Sequence, residues 1–239
     1  MAQYQLAIAL GNDTLTQLSA SGYHLYGLLA AQVGDQQARP LLWSITTLAG
    51  AMQIAWTDQY EVFTAPGTSV PASGTVLTPG ATQAMTSGEL LTVDATGTGT
   101  PTTNGTPGVF TVSNASDQEQ LCGLMVANQA FCVLPLLSLS GQVFTPLPKV
   151  LLFFSTVRYP LGTVLSSWPG TGSTTQGIVV DMSLATPPTV SVGYSTQTGQ
   201  WSWQDQQWGQ AVPFGAEFLP YLLPQSAALA RRSRQASIG

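Results

Sequence analysis

The stretch Lys149-Val150-Leu151-Leu152-Phe153-Phe154-Ser155-Thr156-Val157 constrains this chain most. It is a strongly apolar run closed by Pro146 and Pro148 on one side and by Pro160 and Gly162 on the other. It is rich in branched and aromatic residues and has no helix-capping residues at its ends. Such a run reads as a strand buried on both faces, and a strand of that kind needs a layer on each side of it. The run is therefore expected to be the central strand of a β-rich core.

The rest of the chain fits that requirement. Tyr4, Leu6, Ile8 and Leu10 alternate with Gln3, Gln5, Ala7 and Ala9, the period-2 signature of a strand with one buried face. Gly11-Asn12-Asp13 reads as a turn, after which Leu15 and Leu18 carry the apolar positions. Further strands are expected at Tyr23–Leu29, Leu41–Ile45, Met52–Trp56, Gln59–Thr64, Val109–Val112, Leu121–Val126 and Phe131–Leu139. Beyond the central run follow Gly162–Ser166, Gly177–Leu184 and Thr189–Tyr194, the last returning through Thr198-Gly199 to Trp201-Ser202-Trp203 as a hairpin. About a dozen short strands separated by turn signals predict an all-β fold: a two-sheet β-sandwich over residues 1–224, with a jelly-roll-like or barrel-like alternative.

Residues 66–108 change character and read as a Thr/Gly/Pro-rich insertion, with short strands at Gly74–Leu77 and Glu89–Val93. Residues 96–108 (TGTGTPTTNGTPG) offer too little apolar surface to offset the entropy of ordering them and are expected to be loop. Between Pro213 and Pro224 the prolines space out Phe214, Phe218, Leu219, Tyr221 and Leu222, which suits a coil or one-turn helices lying on the core. Residues 225–239 are expected to form a short C-terminal helix leading into a basic tail.

Charge excludes more than it suggests. Charged residues make up 7% of the chain, against roughly 25% in an average globular protein. The six cations are Arg39, Lys149, Arg158, Arg231, Arg232 and Arg234, and the net charge is -5. A body so short of positive charge is a poor ligand for a phosphate backbone, so no strong nucleic-acid binding by the folded domain is expected. So few charges also remove the repulsion that keeps copies apart, which predicts a homo-oligomer. No stretch approaches the ~18 apolar residues of a membrane helix, and the N-terminal residues lack a basic and then apolar leader. A cytoplasmic protein without a membrane span is the expectation. Cys122 and Cys132 lie in apolar surroundings and are expected to be buried free thiols, with a hairpin disulfide as the alternative.

Catalytic groups are scarce. The one histidine, His24, sits between Tyr23 and Leu25 in an expected strand. No Gly-x-Ser-x-Gly elbow, zinc spacing or phosphate-binding glycine motif is present. A hydrolase would have to draw on acids near turns, Asp58 with Glu61 or Asp117 with Glu119. The chain therefore reads as non-enzymatic and cofactor-free.

The sharpest functional signal is aromatic. Trp201, Trp203 and Trp208 are half of the six tryptophans and stand among Gln200, Gln204, Asp205, Gln206 and Gln207. Indole rings beside amides and a carboxylate suit a carbohydrate, whose pyranose face stacks on the ring while the polar side chains bond its hydroxyls; they also suit a flat aromatic molecule. The candidate ligand-binding residues are thus Trp201, Trp203, Gln204, Asp205 and Trp208, with Trp208 expected to be the exposed ring. The competing reading places Trp201 and Trp203 together in the core. A second function class is a self-assembling shell or filament subunit, with Arg231, Arg232 and Arg234 as a basic arm that docks on an acidic neighbour.

Overall fold

A computed structural model describes residues 2–34, 38–168, 173–185, 189–204 and 207–223. The first half of the chain forms β1 (Gln3–Leu10), α1 (Asn12–Ala20), β2 (His24–Val33), β3 (Arg39–Pro40), β4 (Leu42–Thr46), β5 (Ala51–Thr57), β6 (Tyr60–Pro66), β7 (Thr82–Met85), β8 (Leu90–Val93) and β9 (Gly99–Thr102). The second half continues with β10 (Phe110–Asn114), β11 (Gln120–Val126), β12 (Gln129–Leu136), β13 (Gly141–Ser155), β14 (Gly177–Asp181), β15 (Thr189–Ser195), β16 (Gln200–Ser202), β17 (Gly209–Val212) and the single turn α2 (Leu219–Leu222). The fold is all-β and sandwich-like. Its strands form three hydrogen-bonded sheets where the sequence suggests two: a four-stranded sheet β16-β15-β1-β5, a five-stranded sheet β3-β12-β11-β6-β7, and an eight-stranded sheet built around β13.

The central run lies where its composition demands. β2 runs along one edge of β13 from Phe144 to Ser155, while the other edge pairs first with β10 (Phe144 opposite Phe110) and later with β14 (Lys149 opposite Asp181). Pro146 and Pro148, read from sequence as breakers before the strand, fall inside it. They occupy the gap where β10 has ended and β14 has not begun, beside a register shift against β2 between Leu147 and Val150. A residue without an N–H is tolerated where the ladder is already interrupted.

From Val150 onward both faces are covered. Val150, Leu152 and Phe154 point into the main core shared by all three sheets, and Leu151 and Phe153 into a second cluster with Tyr26, Trp168, Phe218 and Leu222. The proline-spaced segment before residue 223 therefore serves as the lid on that second face. At the mouth of the run, Lys149 forms an ion pair with Asp181 at 3.0 Å.

Three sequence expectations change. Residues after Gly11 form a helix, which buries Thr14 and Leu18, four residues apart, against the core. Gly74–Leu77 and Gly162–Ser166 contribute isolated bridges, Val76 with Thr163 and Leu41 with Val164, in place of strands. Within 96–108, Gly99–Thr102 is a strand, paired antiparallel to β8 from Val93–Gly99 to Leu90–Thr102. The turn before it is held by polar atoms that composition does not reveal. The Asp94 carboxylate accepts the Thr96 N–H at 2.8 Å and the Thr98 N–H at 3.2 Å. The Thr96 hydroxyl also donates to it at 2.6 Å, and this bond, with the backbone ones, holds its pKa below the usual carboxylate value. Buried Thr64 and Gln120 then donate to the carbonyls of Gly97 and Asp94. The expected helix and tail at 225–239 lie outside the described residues.

Candidate functional site

The described residues enclose an open cleft of about 800 Å³ where the chain passes from the four-stranded to the five-stranded sheet. β5 ends at Thr57, Asp58-Gln59 makes the corner, and β6 begins at Tyr60. A two-residue corner breaks the in-out alternation of the strands, so Asp58, Gln59 and Glu61 all reach the same cleft as Tyr60. The facing wall is the turn after β7. β7 pairs with β6 so that Met85 stands opposite Tyr60 and Ala84 opposite Glu61. Thr86-Ser87-Gly88-Glu89 then reverses the chain, with the Glu89 N–H donating to the Thr86 carbonyl at 3.1 Å and the Thr86 N–H to the Glu89 carboxylate at 2.6 Å. Gly88 takes φ +93° at the third position, which a side chain adopts only with strain. Thr86, Ser87, Glu89 and Pro101 of β9 complete the lining.

Tyr60 joins the cleft to an aromatic part of the core. Tyr60 is 8% exposed, with its ring 5.6 Å from Phe110 and 6.0 Å from Phe131. Burial, reinforced by the neighbouring Tyr4 and Asp58, pushes its phenol well above the ordinary tyrosine value, so it is a neutral hydroxyl at physiological pH. Tyr4 stacks on Trp56 at 5.1 Å, and Trp43 meets Trp56 edge-on at 5.8 Å. Trp43 donates its indole N–H to the Val126 carbonyl. The buried indole N–H of Trp56 has no partner among the described residues.

The tryptophan hairpin gives Trp201 the core placement that the sequence offers as the competing reading. Trp201, opposite Tyr194 in the β15–β16 pair, is 4% exposed. Its ring lies parallel to Phe154 at 5.2 Å and its N–H donates to the Gln176 carbonyl at 2.9 Å. It is a core residue, and as a surface stacking ring it is withdrawn. Trp203 is half-buried against the same core and lies over Gly209, where any Cβ would collide with its ring. Trp208, expected to be exposed, is also half-buried there, and its carbonyl accepts the Asp181 N–H at 2.7 Å. Gln204 follows with a positive φ of 56°. Asp205 and the arm residues Arg231, Arg232 and Arg234 lie outside the described residues.

The remaining candidates separate. His24 begins β2 opposite Ser155 and is not part of the cleft lining. Cys122 and Cys132 are buried, free and on adjacent strands. Burial raises both thiols, that of Cys132 to about 12, which keeps them protonated and unreactive. Asp58 and Glu61, paired from sequence, do share the cleft, whereas Asp117 and Glu119 are exposed elsewhere. Glu89 escaped the sequence reading, since only the β6–β7 pairing brings it to Glu61. No three acids, histidines or cysteines among the described residues stand close enough to hold a metal ion. None of the described helices is long and apolar enough to cross a membrane.

Fold and cleft together define an all-β, sandwich-like protein with a polar, acid-lined cleft at a sheet-to-sheet corner. Compared with protein-family models, curated proteins and solved structures, the chain matches none.

Proposed function

We propose that this chain is a non-enzymatic binding protein whose cleft at Asp58–Glu61 and Thr86–Glu89 takes a neutral, polyhydroxylated ligand of the carbohydrate class. The observation that carries the reading is the lining itself: three carboxylates, the Gln59 amide and the Thr86 and Ser87 hydroxyls, with no cation among them. Carboxylate and amide oxygens accept from sugar hydroxyls, while amide and hydroxyl donors serve the sugar's lone pairs. An anionic ligand would meet only like charge. The cleft volume matches those that hold small molecules, ~300–1,000 Å³.

A glycan array read alongside thermal shift tests this. Binding is expected for the native chain, reduced by Gln59→Ala and Glu61→Gln and unchanged by Trp208→Ala. The reverse pattern, with Trp208→Ala abolishing binding and both cleft variants silent, would return the site to the tryptophan segment and end the cleft reading. Binding that fades steeply with added salt would mark a cationic ligand and also count against a sugar.

A further inference from the structure

Sheet edges expose unpaired backbone groups, and folded proteins blunt them with short strands, prolines, charges or cover. Most edges here are treated that way. β3 is two residues long and consists of Arg39 and Pro40, β16 has three residues, and β7 has four. β9 has four and carries Pro101, while β17 has four and runs into Pro213. At β4, Leu42 is bonded through both its N–H and its carbonyl, to Thr163 and Gly162. β5 is the exception. It is seven residues long, Ala-Met-Gln-Ile-Ala-Trp-Thr, without charge, proline or glycine, and its register with β1 runs from Gln3–Thr57 to Ala9–Ala51 with no shift. Among the described residues nothing pairs with its other edge.

The hydrogen bonds at the two ends of the ladder show which atoms face outward. Leu10 donates to the Gly50 carbonyl at 2.9 Å, and Asp58 donates to the Ala2 carbonyl at 3.1 Å. Antiparallel pairs alternate between bonded and non-bonded. Met52, Ile54 and Trp56 therefore bond to β1, and Ala51, Gln53, Ala55 and Thr57 aim their N–H and C=O groups away from it.

We propose that this outer edge of β5 is a self-association surface, on which two copies pair β5 with β5 antiparallel about a twofold axis through Ile54. In that register Ala51 faces the partner's Thr57 and Gln53 faces the partner's Ala55. All four outward-facing residues on each side are then satisfied, by about eight inter-subunit backbone bonds, and the four-stranded sheet continues from one copy into the next. The exposed side chains brought together are Ala, Gln and Thr, so none repels its counterpart. Each Asp58 falls beside the partner's Gly50, and the two carboxylates stand roughly 27 Å apart at ~3.4 Å per residue. A second copy fits because this register is self-complementary over the full strand, and a closed twofold contact ends with two members.

Sedimentation equilibrium of the full chain, with amide exchange of Gln53 and Ala55, tests the pairing. The native chain is expected to dimerise, with both amides protected at high concentration and exchanging freely on dilution. Ala55→Pro removes only an outward N–H, and Gln53→Lys places a charge on the edge; each is expected to weaken dimerisation by about ten-fold or more. Because Pro can strain the strand, Gln53→Lys with a native circular dichroism spectrum is the deciding variant. A native chain that stays monomeric with freely exchanging amides overturns the proposal, as does a dimer that both variants leave intact. Protected amides in a monomer also overturn it, since the cover would then come from within the chain.

Discussion

The β15–β16 hairpin and the corner from β5 to β6 begin from similar material, an aromatic residue set among amides and acids. They use it in opposite ways. In the hairpin, strand alternation sends Trp201 inward between Phe154 and Tyr194 and turns Gln200 and Ser202 outward, so the ring and the polar groups part company. At the corner the alternation is broken by Asp58-Gln59, and Tyr60 stays with the polar residues on either side of it. Both aromatics are less than a tenth exposed. The difference lies in the backbone: a regular strand separates apolar from polar side chains, and a turn gathers them. A cluster in the sequence is therefore a better site signal when it spans a turn than when it lies along a strand.

The largest effects are expected in the hairpin and the strand beneath it. Phe154→Ala removes the ring that Trp201 stacks on and should cost about 3–5 kcal/mol in denaturant unfolding, while the molecules that remain folded keep their cleft affinity. Trp201→Phe leaves the Gln176 carbonyl without its indole donor, and about 1–3 kcal/mol of stability should go, read from the same titration. The corner, and the thiol buried on β12, should then respond to alkali. The thiol of Cys132 and the phenol of Tyr60 have folded pKa values above their ordinary 9.0 and 10.0. Their contribution is complete below pH 9 and is lost as pH rises toward the folded values, because the unfolded chain ionises first. The unfolding free energy from urea titration should fall above pH 9, by up to about 1.4 kcal/mol per pH unit for each group. Smallest in stability is Glu61→Gln, expected within about 0.5 kcal/mol of the native chain, yet it should reduce glycan binding on the order of ten-fold. A stability loss comparable to that of Trp201→Phe would mean that Glu61 is a structural residue.

The legible parts of the fold were those where burial follows chain periodicity. The run at 149–157 was readable because two covered faces require an uninterrupted apolar sequence, and β5 because Met52, Ile54 and Trp56 alternate. α1 was obscured because nine residues with only Leu15, Leu18 and Ala20 apolar give a weak helical period, although the three-residue spacing of the two leucines was the available hint. β9 was hidden because Gly-Thr-Pro-Thr owes its order to backbone bonds with β8 and to side chains from a distant sheet. The cleft was half legible: Asp58 and Glu61 are neighbours in sequence, while Glu89 arrives only through the pairing of β6 with β7. Trp201 misleads for a related reason, since the carbonyl that receives its N–H belongs to Gln176, in another segment.

The parallel pairing of β1 with β15, from Gln5–Thr189 to Leu10–Tyr194, has a consequence during synthesis. β1 leaves the ribosome well before β15 and waits for a neighbour more than 180 residues downstream. At ~5–20 residues per second that wait is roughly ten to forty seconds. Throughout it, the antiparallel β5 is the one partner in this sheet that a nascent β1 can find. Chains stalled before residue 189 would carry β1 with an open edge, and ribosome stalling within that window should be when this protein most needs a chaperone.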